Sequence, residues 1–419
     1  MKPLDRIRAD PEKVHANLSA RGFDAPLDRI LELDRVVRER KVKKESLQAE
    51  RNRASRGGPP SEDVKARMRA VGDEIRAIDA ELTTLEQELS DAVLWIPNEI
   101  DPRVPPGRDE HDNKVVRQDA PKEPRFTPKP HWEVGEALGI LDIPRGTKLS
   151  GSRFYVLRGA GAALQRALIA WMIDLKIEAG FTEIYPPFVT RRETLLGSAH
   201  LPHFDENLYR DEDDDVWLVP TAEPQLVGLH RDETFEKGAL PKTYVAYTAC
   251  FRREHMSAGR DVRGIKRGHE FDKVEMVVHC APEESDTWLD RMTALAVDVV
   301  DKLELPVRVS ERCAGDLGFT ALRGFDVDAW GPAQNEWLEV SSASNCGSFQ
   351  AERSNIKFRR DDGKTEHVHI LNASGVALPR LMIAIIENYQ REDGSLEIPK
   401  AVRSYMAGRE KIAVGEFAL

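Results

Sequence analysis

The sequence predicts an α+β protein, an N-terminal antiparallel helical coiled-coil hairpin joined to a body built on an antiparallel sheet flanked by helices. Three observations predict it. From Val64 the apolar residues run Val64, Met68, Val71, Ile75, Ile78, Leu82, Leu85, Leu89, in alternating steps of four and three, which is the seam of a coiled coil. Just upstream, Arg56-Gly57-Gly58-Pro59-Pro60 cannot continue a helix and reads as a tight reversal. Beyond Pro187, short strand-like runs alternate with loops and close on an apolar helix from Val376 to Tyr389, as expected of a sheet with helices against it.

At 419 residues the chain is too long for one ordinary core. Two domains are expected: 1–110, carrying an arm over about 27–96, and 111–419. The first helix of the arm follows the seam register less well (Leu33, Val37, Lys44, Leu47, Ala54), because Arg40, Lys44 and Arg51 occupy seam positions. Its weak apolar character suggests an arm that is flexible until it binds something. At 1.5 Å per residue the second helix spans roughly 50 Å. From Arg35 to Arg56 there are nine Lys or Arg against three Glu, while the whole chain carries a formal charge of −11. A local basic projection on an acidic body argues against indiscriminate nucleic-acid binding but not against a defined site. Arg35, Arg38, Lys41, Lys44, Arg51, Arg53 and Arg56 are the candidates for RNA phosphate contacts. From the heptads alone, a dimerisation or scaffold hairpin is the commoner reading.

After Trp95 a connector holding Pro97, Pro102, Pro105, Pro106, Pro121, Pro124, Pro128 and Pro130 is too interrupted for regular structure. Leu164, Leu168, Trp171 and Leu175 then mark one face of a helix that stops near Gly180, and FTEIYPPFV follows as a strand. The four cysteines, Cys250, Cys280, Cys313 and Cys346, form no C-x-x-C pair and read as lone buried thiols. His200 and His203 have no further ligand cluster and read as a surface loop. No apolar run approaches the roughly 18 residues of a membrane span, and the N-terminus lacks the apolar core of a secretion signal, so a cytoplasmic protein is expected.

The stretch richest in chemistry is Phe251 to Glu275, FRREHMSAGRDVRGIKRGHEFDKVE. A strand, a basic Gly-rich loop and a returning strand would hold a cationic fork over a polyanion, with Phe271 free to stack on a flat ring. The stretch resembles motif 2 of the class II aminoacyl-tRNA synthetases, and its SAGRDVRG wording is similar to the seryl-tRNA synthetases. TAE at Thr221 to Glu223, CAGDLGF at Cys313 to Phe319, EVSSASN at Glu339 to Asn345 and LNASGVALPR at Leu371 to Arg380 fall in that family's order. The helix and strand at 155–190 resemble motif 1, through which class II enzymes form homodimers.

The resemblance implies a class II antiparallel sheet, activation of L-serine with ATP and Mg²⁺, and transfer to the tRNA for serine, whose long variable arm the hairpin would grip. That reaction needs no nucleophilic side chain, only orientation of two anions and neutralisation of charge growing at phosphorus. Arg252 would bridge the amino-acid carboxylate and the α-phosphate with its planar fork, and Arg380 would meet the γ-phosphate. With Glu339 these form the expected catalytic set. The ATP site would add Arg253, Glu254 (adenine amino group), Arg267, Phe271 (adenine face), Val340, Ser341 and Ser342. Glu339 and Ser342 would hold Mg²⁺, which prefers oxygen ligands and keeps much of its water. Thr221, Ala222 and Glu223 are assigned to the ammonium end of serine and Glu275 to its hydroxyl, with Asn372 and Ser374 nearby. The chain departs from the family at Glu270, which adds a negative charge near the adenine position, and at Pro379, well suited to a first helical turn. Two rivals are an adenylating paralogue that serves a carrier, against which the basic arm weighs, and a non-catalytic coiled-coil binding module, against which intact Arg252, Glu254, Glu339 and Arg380 weigh.

Overall fold

The computed structural model describes residues 3–54, 61–121, 123–255 and 263–417. It divides into two compact units, Met1–Glu99 and Ile100–Leu419. The segment after Glu99 is tied into the second unit: Asp101 N–H donates to the Leu322 carbonyl and Arg103 pairs with Asp286.

In the first unit, two short helices, α1 (Pro3–Ala9) and α2 (Pro11–Arg21), precede the long α3 (Leu27–Ala54) and α4 (Glu62–Val93). Ser61 caps α4, its hydroxyl accepting from Val64 N–H, and Glu62 and Asp63 complement the positive end of the helix. The seam is real: Val71, Ile75, Ile78, Leu82 and Leu89 are buried against Ile30, Leu33, Val37 and Leu47. The reversal at Arg56–Pro60 lies outside the described residues.

The seam cations are not the weak points their positions suggest. Arg40 pairs with Glu81, Lys41 with Glu86, Lys43 with Glu74 and Lys44 with Asp79 across the hairpin. Helix α4 carries nine acidic residues against four basic ones, so the cations of α3 meet carboxylates across the seam. Each exposed pair contributes only about 0–1 kcal/mol, so these pairs set register more than they add stability. Arg38 and Arg8 both reach the buried Asp34; the Arg8 hydrogen bond is the main cause that holds the Asp34 carboxyl below its usual range.

The second unit is organised by an eight-stranded sheet. Its strands are β1 (Lys114–Gln118), β2 (Thr182–Ile184), β3 (Lys242–Phe251), β4 (Glu270–Cys280), β5 (Val307–Glu311), β6 (Arg323–Gly331), β7 (Glu336–Asn345) and β8 (His369–Ala377), in the order β1-β5-β6-β7-β8-β4-β3-β2. Every neighbouring pair is antiparallel except β2 with β3. Helices α5 (His131–Ala137), α6 (Ala160–Glu178), α7 (Ser285–Lys302) and α8 (Leu378–Tyr389) belong to the same unit.

Strand alternation explains how this sheet serves both a core and a site. On β4, the even residues Val274, Met276, Val278 and Cys280 enter the main core with Leu164, Leu168 and Met172 of α6, Leu289 and Met292 of α7 and Leu381 and Ile385 of α8. The odd residues Phe271, Lys273 and Glu275 face the other way, into a cavity. Further along that face Val277 is covered by the helices Glu223–Gly228 and Phe349–Ser354. Pro379 sits in the first turn of α8, where its missing N–H costs nothing. All four cysteines are buried and free. No helix among the described residues is long and apolar enough to cross a membrane.

One interior charge stands apart from this pattern. Lys176 in α6 is fully buried and gives one hydrogen bond, to the Leu295 carbonyl at 2.6 Å. Burial lowers its pKa to about 8. Because the unfolded chain binds that proton more tightly, the cost of burying the ammonium is fully present below about pH 8 and fades as pH rises toward the ordinary lysine value. Lys176→Met is therefore expected to stabilise the protein by about 3 kcal/mol at neutral pH, with the gain shrinking between about pH 8 and 10.5. Denaturant melts of both proteins across that range check it; a pH-independent difference would show that the ammonium is not desolvated.

Candidate active site

A cavity of about 540 Å³ opens on the polar face of the sheet. Its floor is a compact charge cluster. Lys273 and Glu275, two residues apart on β4 and therefore on one face, form a buried ion pair. Beside them Glu223, at the start of its short helix, accepts from Gln350 Nε2 (2.6 Å) and Asn372 Nδ2 (3.1 Å), both on the same Oε1. Glu223 N–H in turn donates to the Thr221 hydroxyl at 3.3 Å. Burial raises the pKa of Glu223, while the Gln350 hydrogen bond and the charges of Lys273 and Arg252 oppose it. Glu275 is raised by burial as well, eased by Lys273 and pushed further by Glu223. Two carboxylates thus share one desolvated space, held by two cations.

Two bulges turn the adjoining strands toward the cavity. On β8, Glu275 faces Ser374 while Val274 faces Val376, so Gly375 is the extra residue; a Cβ there would crowd the Val274 side chain at 2.9 Å. On β7, Asp328 faces Glu339 and Val327 faces Ser341, leaving Val340 extra. Without that insertion Glu339 and Ser342, three residues apart, would point to opposite faces; with it both line the cavity. Arg380, in the first turn of α8, closes this wall, donating to the Glu339 carbonyl at 2.7 Å and lying 3.3 Å from its carboxylate. Behind the wall Asp326, opposite Ser342, has its pKa pushed up to about 8 by burial despite Arg312 at 3.6 Å. The Glu339 carboxylate and Ser342 hydroxyl are hard oxygen donors on one face, a set that fits Mg²⁺ completing its shell with water and phosphate.

The upper rim comes from the ends of β3 and β4. Arg252 donates from Nε to the Pro220 carbonyl (3.2 Å), and its guanidinium lies 5.1 Å from the centre of the Phe271 ring. Glu254 adopts a left-handed backbone (φ 53°), uncommon for a residue other than Gly or Asn, and its carboxylate lies 3.7 Å from Arg267. Lys266 pairs with Glu336 at 2.7 Å. Residues 256–262 of the hairpin loop lie outside the described residues.

Of the residues singled out from sequence, Thr221, Glu223, Arg252, Glu254, Arg267, Phe271, Glu275, Glu339, Val340, Ser341, Ser342, Asn372, Ser374 and Arg380 line this one cavity. Two do not. Ala222 is buried in the small core beneath the floor, and the Arg253 guanidinium lies over Tyr209, with Nε donating to the Leu208 carbonyl. Glu270 is exposed and away from the lining. The surface-loop expectation for His200 and His203 is corrected. His200 lines the cavity beside Ser198, with burial holding its pKa down to about 3, and His203 stacks on Phe319 at 4.9 Å. Sequence reasoning also missed Lys266, Lys273 and Arg312. Lys273 was accessible to it, since strand alternation puts it on the face of Glu275.

A sheet of this order, with a motif 2 hairpin beside a β8–α8 unit that presents Arg380, defines a class II aminoacyl-tRNA synthetase core. The family model of the tRNA synthetase class II core domain (G, H, P, S and T) matches residues 204–389, and that of the seryl-tRNA synthetase N-terminal domain matches residues 1–100. The serine--tRNA ligase of Thermomicrobium roseum is 52% identical over 98% of this chain and 95% of its own, and that of Roseiflexus sp. is 51% identical over 98% and 99%. Among solved structures, seryl-tRNA synthetase from Pyrococcus horikoshii complexed with ATP has a TM-score of 0.92 and 36% identity, covering 99% of this chain and 100% of that one. The chain belongs to the seryl-tRNA synthetase family.

The floor makes a direct prediction about stability. Lys273→Met leaves Glu275 buried without its ammonium, which raises its folded pKa further. Stability is then lost as pH rises above the ordinary glutamate value, because ionising Glu275 costs more in the folded state. The single variant is expected to lose about 3 kcal/mol near neutral pH, and Lys273→Met with Glu275→Gln to lose clearly less. Chemical denaturation of the two checks it; equal losses would mean that the charges on the floor are not coupled.

Proposed function

We propose that the cavity carries both half-reactions of serine--tRNA ligation. The serine carboxylate attacks the α-phosphorus of ATP, the bond to the bridging oxygen breaks and pyrophosphate leaves. The terminal ribose hydroxyl of the tRNA for serine then attacks the acyl carbonyl, and AMP leaves. The observation that carries this reading is that Arg252 and Arg380 line one cavity together with the carboxylates of Glu223 and Glu275. Two forks are available for phosphate and carboxylate oxygens, and a carboxylate floor is available for an ammonium group.

Within this reading Glu223 and Thr221 take the ammonium of serine, Glu275 its hydroxyl, and Asn372 and Ser374 shape the space between. Arg252 holds the serine carboxylate and α-phosphate in line, Phe271 and Glu254 receive adenine, Arg267 and Arg380 the outer phosphates. Arg253 contributes by fixing the end of β3 rather than by touching ATP. Glu339 and Ser342 would hold Mg²⁺, which when bound supplies charge neutralisation between phosphates. The division into a domain at about 1–110 for tRNA and 111–419 for catalysis and dimerisation belongs to the same proposal. So does a cytoplasmic homodimer formed through 155–190, where Ile177, Tyr185 and Val189 are exposed. On the arm, Arg51 and Arg53 are exposed in the last turn of α3, and Arg35, Arg38, Lys41 and Lys44 would exchange carboxylate partners for phosphate; Arg56 lies outside the described residues.

Arg252→Ala is expected to cut serine-dependent ATP–pyrophosphate exchange on the order of 100-fold or more in a folded protein. Near-normal exchange would remove Arg252 from the mechanism. Replacing Asp34 to Val93 with a short Gly/Ser linker is expected to leave exchange largely intact while strongly impairing tRNA charging, because each phosphate contact supplies salt-dependent affinity. Charging at the normal rate by that variant would reassign the arm.

A further inference from the structure

The limb from Gly264 to Gly268, on the way into β4, brings Lys266 and Arg267 to the cavity rim. What holds it lies outside the cavity. His131, at the start of α5, is fully buried. The backbone N–H of Ile265 donates to its Nε2 at 3.1 Å, so Nε2 carries the lone pair and the ring proton is assigned to Nδ1. Nδ1 lies 3.2 Å from Oε1 of Glu387 on α8. The same buried carboxylate accepts from the backbone N–H of His131 (3.2 Å), Gln334 Nε2 (3.2 Å) and the N–H of Ala333 (3.1 Å). Gly264 makes the approach feasible: its φ is +74°, and a Cβ there would overlap Nε2 of His131.

Helix α8 thus carries two things. Its first turn presents Arg380 to the cavity, and two turns later Glu387 grips the imidazole that holds the limb carrying Lys266 and Arg267. We propose that His131 is a positioning residue for nucleotide binding: as a buried neutral imidazole that accepts from Ile265 and donates to Glu387, it sets Lys266 and Arg267 at a fixed height relative to Arg380. The inference rests on the reading of the cavity as the ATP site. It assigns a role to a residue that touches neither ATP nor serine. Imidazole suits the position because its two nitrogens lie at different reaches, one for each partner. Asparagine can reproduce only the nearer contact, to Glu387, and glutamine only the farther one, from Ile265.

The test compares His131→Asn and His131→Gln in ATP–pyrophosphate exchange, with KM for ATP and for serine measured separately and thermal stability followed alongside. His131→Asn is expected to raise KM for ATP about tenfold, the scale of one lost buried hydrogen bond, with KM for serine within about twofold. His131→Gln is expected to keep KM for ATP near that of the parent protein even where it melts at a similarly lowered temperature. Equal KM values for ATP in the two variants, or parallel rises for serine and ATP, would overturn the proposal. If neither variant folds, Gly264→Ala decides in the same way: a rise confined to ATP supports positioning, and no rise refutes it. Arg252→Ala is assayed in parallel. Exchange that survives in Arg252→Ala defeats the reading of the cavity, whereas its loss there with unmoved ATP affinity in the His131 series defeats this inference alone.

Discussion

Strand β4 must be a core strand on one face and the floor of a charged cavity on the other. The rest of the second unit follows from that constraint. Val274, Met276, Val278 and Cys280 fasten the sheet to three helices, so the opposite face cannot move without disturbing the main core. On that face Lys273 and Glu275 are desolvated together. Burying an ion pair rarely stabilises a fold, because desolvation offsets the mutual attraction. In the proposed function the pair is a site held ready, rigid because its backbone belongs to the core and polar because serine binding requires charge.

The neighbouring strands accommodate the same demand through register. Strands alternate with a strict period of two, which would scatter the polar residues of β7 between the two faces. The inserted Val340 brings Glu339 and Ser342 to one side, and the inserted Gly375 lets β8 keep Ser374 opposite Glu275. Arg380 then arrives from the first turn of α8, which follows β8 directly. The seryl-tRNA synthetase fold here is a way of aiming side chains from five segments, distant in sequence, at one volume.

Much of this was legible in the sequence. The heptads of α4 located the hairpin because a coiled-coil seam is a local pattern, and the motif 2 stretch located the rim because strand, loop and strand are contiguous. The residues that escaped are those whose role depends on a distant partner. His200 reads as a loop residue until the fold encloses it, and Arg312, just past β5, becomes part of the site only because β5 pairs with β6 and β6 with β7, whose Ala343 and Ser344 receive its guanidinium. The cations of α3 look like a free basic surface until α4 presents Glu81, Glu86 and Asp79 to them. Arg253, adjacent to Arg252, shares its chemistry but points to Tyr209, since successive residues at a strand end face opposite ways.

The floor holds two buried carboxylates, Glu223 and Glu275, whose pKa values are raised by burial and, in the proposed function, lowered when the ammonium group of serine takes its place beside them. Calorimetric titration of serine into the protein, in buffers of differing ionisation enthalpy, reads this directly as protons exchanged on binding. Net proton release is expected, growing as pH is lowered from neutral toward the ordinary glutamate value, because the free protein then carries more carboxylic acid to be discharged. Proton uptake, or binding with no proton exchange anywhere in that range, would contradict it.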